Sequence, residues 1–203
     1  MASRLFIASL LLFCLMENCY GAVHLSSLKQ TLVVTASPNP GQVLKAGEDE
    51  ITVNWGFNQS FPAGTDSAYT NVKVKLCYAP ISQIDRSWRK TNDDLTKDKT
   101  CQYSIVSKPY NPSTNNVKQS FDWIIGRDVP TAAYFVRVYA YNSAGDEVGY
   151  GQTSDAKKTT NLFEIQGISG RHASLDIAAA CFSAFSVVSL FGFFYIEKSK
   201  AKM

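Results

Sequence analysis

The sequence predicts an all-β sandwich that follows a removable leader and precedes one membrane-spanning helix, and three observations predict it. From Ala22 to about Gly170, apolar and polar residues alternate with period two, the signature of half-buried strands. No amphipathic helical pattern separates those alternations, which leaves sheet packed on sheet as the way to bury them. The run from Ile177 to Ile196 carries no charge and, at about 1.5 Å per residue, is long enough to cross a hydrocarbon core of about 30 Å.

Taken in order, residues 1–21 hold Arg4, the apolar run Leu5 to Met16 and then Cys19-Tyr20-Gly21, with small residues at the positions signal peptidase inspects. This reads as a secretory signal cleaved after Gly21, because the apolar run is too short to span a bilayer comfortably. Residues 22–170 follow as the extracellular domain. Its first strands are expected at Thr31 to Thr35 and at Ile51-Thr52-Val53-Asn54-Trp55, where every second residue is apolar. Just beyond, Asn58-Gln59-Ser60 is an N-glycosylation sequon, whereas Pro112 spoils the one at Asn111. The next strand, Val72 to Tyr78, puts Val72, Val74, Leu76 and Tyr78 on one face and Lys73, Lys75 and Cys77 on the other. A disulfide from Cys77 therefore lies on the outer side of a sheet instead of crossing the core. Further strands are expected at Gln102 to Ser107, Gln119 to Ile125, Ala133 to Tyr141 and Glu147 to Gln152. The stretch Tyr134 to Tyr141 with Asn142-Ser143-Ala144-Gly145 resembles the penultimate strand and hairpin of fibronectin type III and immunoglobulin-like domains, and Ile51 to Trp55 resembles their second strand. That likeness implies a tyrosine corner at Tyr134.

Residues 171–176 are expected to be a short linker, 177–196 the membrane helix and 197–203 a basic tail. Lys198, Lys200 and Lys202 place that tail in the cytosol and make the chain type I. On a helical projection Ala179, Ser183 and Ser186 share one stripe, a candidate helix-packing face. Of the five cysteines, Cys14 and Cys19 leave with the signal and Cys181 sits in the membrane run, so Cys77 and Cys101 remain. In a secreted domain a disulfide between them is the default reading, and closing a loop of that length stabilises a fold by roughly 3–4 kcal/mol.

Composition narrows the function classes. A net charge of +3 and a pI near 8.5, with both signs interspersed, give no nucleic-acid footprint. His24 and His172 are the two histidines and stand at the domain's edges, which argues against a histidine acid, base or metal cluster. No pattern pairs Asp122 or Asp128 with another carboxylate, no phosphate-cradling loop is present, and no cofactor is implied. The reading is non-enzymatic.

The segment from Ile81 to Thr100 is the least sandwich-like part. Between Asp85 and Thr100 five cations, four acids and one tryptophan share sixteen residues, a Trp and Arg composition typical of interface hot spots. Arg86-Ser87-Trp88-Arg89-Lys90, followed by Asn92-Asp93-Asp94-Leu95-Thr96-Lys97-Asp98-Lys99-Thr100-Cys101, resembles the central motif of the plant high-affinity nitrate transporter-activating proteins. The resemblance runs over essentially the whole chain. It implies a non-enzymatic partner subunit that binds a multi-pass nitrate transporter of the major facilitator type, helps it reach or remain in the plasma membrane, and is needed for high-affinity uptake. The partner-binding candidates are then Arg86, Trp88, Arg89, Lys90, Asp93, Asp94, Lys97, Asp98 and Lys99. Trp88 is expected as the apolar anchor, Arg89 as a fork that grips a carboxylate or loop carbonyls, and Asp98 as the acid held most firmly by the nearby Cys101 tether. Nitrate itself is not expected to bind here, since sixteen Lys and Arg face fourteen Asp and Glu between Ala22 and Leu175, a balance of only +2. The alternative is a single-pass adhesion or receptor module that uses the same fold to bind an extracellular ligand.

Overall fold

The computed structural model describes residues 22–112 and 119–200; the expected leader, with Cys14 and Cys19, and the end of the basic tail, with Lys202, lie outside them. The chain divides into two compact units between Gly167 and Ile168.

The first unit is the sandwich. Its described strands are β1 (Leu32–Ala36), β2 (Val43–Lys45), β3 (Glu50–Phe57), β4 (Asn71–Tyr78), β5 (Tyr103–Pro109), β6 (Gln119–Ile124), β7 (Ala132–Tyr141), β8 (Glu147–Gln152) and β9 (Phe163–Gln166). One sheet runs β1-β3-β6. The other runs β2-β9-β7-β4-β5, with β8 also paired to β7. All pairings are antiparallel except β2 with β9. The seven strands expected from alternation are present. β2 and β9 were not foreseen, because three and four residues are too few to display a period. Their presence also means that β7 and β8 are not the last strands, unlike the hairpin they resemble.

Alternation dictates what faces the core. Val72, Val74 and Leu76 of β4 and Val136, Val138 and Ala140 of β7 point toward Ile51, Val53 and Trp55 of β3, and all are fully buried in one cluster. Each buried Val or Leu contributes roughly 1.5–3 kcal/mol relative to exposure. Trp55 satisfies its indole N–H on Gln119 Oε1 at 2.9 Å. Tyr134 donates from its hydroxyl to the Pro130 carbonyl at 2.7 Å, a bond to backbone four residues upstream that makes the expected tyrosine corner. Where the sheets close on each other, β8 crosses β1 backbone to backbone. A side chain on Gly151 would run into the Leu32 carbonyl, and one on Gly149 into the Tyr69 hydroxyl, so glycine is required there by close approach.

The far face of the larger sheet is covered as well. Cys77, Phe135, Arg137 and Tyr139 lie on the side away from the main core, yet each is buried. Arg137 donates to Gln152 Oε1 from Nε (3.1 Å) and Nη2 (2.9 Å) and to the Tyr139 hydroxyl from Nη1 (3.0 Å), among the rings of Phe135, Tyr139 and Tyr150.

The second unit is a helix, α1 (Ala173–Lys200), whose apolar stretch is long enough to cross a membrane. It starts before the expected span, so residues 173–176, read from the sequence as linker, are its first turn. Asp176 near the amino end and Lys198 and Lys200 near the carboxyl end suit the helix dipole, and Arg171 Nε pairs with Asp176 at 3.0 Å. Ala179, Ser183 and Ser186 are exposed.

Candidate functional site

β4 ends at Tyr78, and the chain then runs outside both sheets until Cys101 returns it to β5. Two short 3-10 turns, Pro80–Ser82 and Ser87–Arg89, shape the first half of this loop. Cys77, in β4, and Cys101, two residues before β5, form a disulfide on the outer side of the sheet as parity predicts, and Cys77 is wholly enclosed. Side chains then fix the loop internally. Gln83 donates to the Tyr78 carbonyl at 3.0 Å and accepts from the Thr91 amide (3.1 Å) and hydroxyl (2.9 Å). Ser82 Oγ accepts from the Ala133 amide at 2.8 Å, and Gln102 donates to the carbonyls of Trp88 and Lys99.

The amino-terminal segment is a further clamp. Leu25 N donates to Asp93 O at 2.8 Å, Leu95 N donates to Val23 O at 2.9 Å, and His24 bridges Asp94. Ser26 gives Asp93 both its amide (2.8 Å) and its hydroxyl (2.7 Å), and His24 Nδ1 lies 3.3 Å from the same carboxylate. Nothing in the spacing of residues 22–28 announces this contact, because it joins segments 67 positions apart.

Three of the loop's four acids are occupied within the chain. The Ser26 bonds hold Asp93 below the usual carboxylate range. Asp94 is buried, accepts from the Thr96 hydroxyl (2.6 Å) and amide (3.0 Å), pairs with Lys97 at 2.9 Å, and is drawn down to about 2, mainly by the Thr96 hydroxyl. Asp98 accepts at one oxygen from Asn92 N (3.1 Å), Thr100 N (3.2 Å) and the Thr100 hydroxyl (2.6 Å). It also lies in the field of Lys158, whose ammonium is pulled below its usual range by burial and by Arg137, with Asp98 opposing. Asp98 thus organises the turn into Cys101.

Arg89 departs from the sequence expectation. Its guanidinium is not offered outward: it is 8% exposed, stacks on the Tyr78 ring with 4.2 Å to the centroid, and donates from Nη1 to the Ser82 carbonyl at 3.3 Å, leaving Nε without a partner. The fork is spent on the chain's own loop because Tyr78, at the end of β4, presents an aromatic face beneath it.

What remains outside is cationic and apolar. Arg86, Lys90 and Lys99 are exposed, and among the described residues no ion pair includes them. Trp88 is 57% exposed, and Ile81 and Ile84 are 66% and 62% exposed. Sequence reasoning passed over the two isoleucines; the signal was their place in a charged loop with no strand to bury them. Asp85 stands beside them with φ of 56°. A depression of about 480 Å³ lies here, lined by Pro80, Gln83, Ile84 and Ser87 with the acid Asp85 and the cations Arg86 and Lys90.

The other sequence candidates belong to other elements. Asn58 follows β3, with its side-chain oxygen accepting from the Ser60 amide at 3.1 Å. Ala179, Ser183 and Ser186 belong to the helical unit. Among the described residues no group of three His, Cys, Asp or Glu side chains is placed to hold a metal ion.

Comparison with known proteins gives this arrangement a family. Residues 25–170 match the family described as "High-affinity nitrate transporter accessory, Ig-like domain" (NAR2). The chain is 48% identical to High-affinity nitrate transporter 3.1 of Arabidopsis thaliana, over 98% of this chain and 96% of that protein. It is 51% identical to High-affinity nitrate transporter-activating protein 2.1 of Oryza sativa subsp. japonica, over 88% of this chain and 82% of that protein. High-affinity nitrate transporter 3.2 of Arabidopsis thaliana is 48% identical, over 98% of this chain and 96% of its own length. An immunoglobulin-like sandwich with a tyrosine corner, a disulfide-held loop and identity of this extent over nearly the whole length lead to one assignment: the chain belongs to the family of high-affinity nitrate transporter accessory proteins.

Proposed function

We propose that this chain is a non-enzymatic accessory subunit that binds a multi-pass high-affinity nitrate transporter and supports its targeting to, or stability in, the plasma membrane and its uptake of nitrate. In this reading residues 1–21 are a cleaved secretory signal, the sandwich domain is extracellular, α1 spans the membrane once and the lysines beyond it lie in the cytosol, giving a type I hetero-oligomer subunit. Asn58 then faces the glycosylation machinery. The small stripe Ala179, Ser183 and Ser186 offers a face for helix packing.

The observation that carries the reading is the charge arrangement of the 81–100 loop. Asp93, Asp94 and Asp98 are hydrogen-bonded within the chain, Asp94 also paired with Lys97, while Arg86, Lys90 and Lys99 stand outward beside Trp88, a preorganised surface for another protein. Co-expression in oocytes with a high-affinity nitrate transporter tests it. Labelled nitrate uptake should far exceed that of either chain alone, whereas an adhesion or receptor module would leave uptake unchanged.

A further inference from the structure

We propose that Ile81, Ile84 and Trp88 form an apolar docking platform, rimmed by Arg86 and Lys90, for a carboxylate-bearing apolar segment on the transporter's outer side; this rests on the accessory-subunit reading above.

Three large apolar side chains, each more than half exposed, stand within eight residues on a loop that the rest of the fold holds still. Single exposed apolar residues need no explanation, but a cluster with a polar rim marks an interaction surface. Burial of the neighbouring residues shows that these three are not a misplaced piece of core. Ser82 and Arg89 of the two turns are buried, so the turns already have an inner side, whereas Ile81 and Trp88 of the same turns, and Ile84 between them, are exposed.

The platform is ordered before anything binds. The Arg89 N–H bonds Arg86 O at 3.0 Å, Arg86 N bonds Gln83 O at 3.1 Å, Gln102 takes the Trp88 carbonyl, and Gln83 ties the turn to Tyr78 and Thr91. Docking onto such a surface avoids most of the entropy loss that a mobile loop would suffer.

Charge selects the occupant. Arg86 reaches only the Ile84 carbonyl, at 3.5 Å, and Lys90 has no ion pair among the described residues. Asp85 is the one acid among the residues lining the depression, and it makes no ion pair with either cation, so a partner carboxylate finds cations without an ion-pair partner among the described residues. The depression beside Ile84 is bordered by polar Gln83, Ser87 and Asp85 together with the two cations, a boundary that asks for directed hydrogen bonds. A protein segment provides those, whereas an acyl-chain surface does not.

The test uses the full chain co-expressed with a plant high-affinity nitrate transporter, solubilised in mild detergent and co-purified. Two variants are compared with the unaltered chain: Ile81→Ser with Ile84→Ser, and Arg86→Glu with Lys90→Glu. Each is expected to lower co-purified transporter and stimulated uptake at least tenfold, and unaltered binding is expected to weaken as salt is raised. Should the isoleucine variant fail to fold, the charge-reversal variant still decides, because Arg86 and Lys90 are exposed and the side-chain bond between them and the domain is the long one from Arg86 to the exposed Ile84 carbonyl. Full binding by both variants, correctly folded, would overturn the platform. So would an intact complex in detergent combined with lost retention on anionic vesicles, which would assign the patch to a lipid surface. Failure of the unaltered chain to stimulate uptake at all would instead overturn the accessory-subunit reading.

Discussion

Arg89 and Asp94 show how a residue chosen for outward chemistry can be consumed by its own loop. Over Tyr78, the guanidinium has a desolvated cation–π contact, worth up to about 2 kcal/mol, and one hydrogen bond of about 1 kcal/mol, against an unpartnered Nε. Arg89→Ala should therefore destabilise the domain by roughly 2 kcal/mol and lower Tm by roughly 4–8 °C. A wild-type Tm in that variant would show that the stacking contributes nothing. Arg89→Lys should also lose part of this stability, because an ammonium cannot lie flat on the ring. Asp93 and Asp94 make the loop acid-sensitive in a defined direction. Both carboxyls sit below the usual value near 3.9 in the folded chain, Asp93 through Ser26 and Asp94, at about 2, through Thr96 and then Lys97. Their contribution is complete above pH of about 4 and disappears as pH falls toward about 2. Amide exchange at Leu95 and Thr96 should rise over that interval, and Asp94→Asn should raise it at neutral pH and flatten its acid dependence.

At the scale of elements, strand faces were legible and element functions were not. Alternation in Val72 to Tyr78 correctly separated Val72, Val74 and Leu76 from Cys77, since period two is intrinsic to a strand. It could not show that the outer face, with Cys77, Phe135 and Arg137, would be roofed over, because burial there comes from segments distant in the chain. Gly149 and Gly151 likewise lie inside the expected strand Glu147 to Gln152 with nothing in the alternation to single them out. Their reason appears only where β8 meets β1, and Gly151→Ala should cost about 1–3 kcal/mol in urea unfolding, as overpacking against backbone that cannot retreat. An unchanged midpoint and slope would mean that the sheets separate freely. Replacing both Cys77 and Cys101 by Ala removes a link across a sequence separation of 24, worth about 3.5 kcal/mol in the chain-entropy model. Stability should fall by about that amount, and exchange should increase across 81–100 more than in β7.

For the molecule as a whole, the candidate site was half visible: the loop and its tryptophan stood out, whereas its outward charge did not. Counting Asp85 to Thr100 gives five cations against four acids, but Asp93, Asp94 and Asp98 are turned onto Ser26, onto Thr96 with Lys97, and onto Thr100, while Arg86, Lys90 and Lys99 are exposed with no ion pair among the described residues. Which charges are bonded inward and which are left outside is a tertiary fact that composition cannot hold. The same holds for the amino-terminal strap, which couples the start of the domain to the middle of the loop. Ordering the backbone of Val23 to Ser26 costs about 1–2 kcal/mol per residue, while its hydrogen bonds to Asp93 and Leu95 return about 1 kcal/mol each. The two sides nearly cancel, so losing one or two bonds should release the strap without unfolding the sandwich. Leu25→Pro removes the amide that donates to Asp93 O, and Ser26→Ala removes a bond to its carboxylate. Together they should raise exchange of the Leu95 amide at least tenfold, leave amides of β4 and β7 protected, change Tm little and lower stimulated nitrate uptake. Unaltered Leu95 exchange would mean that the disulfide and the two turns order the loop without help from the strap.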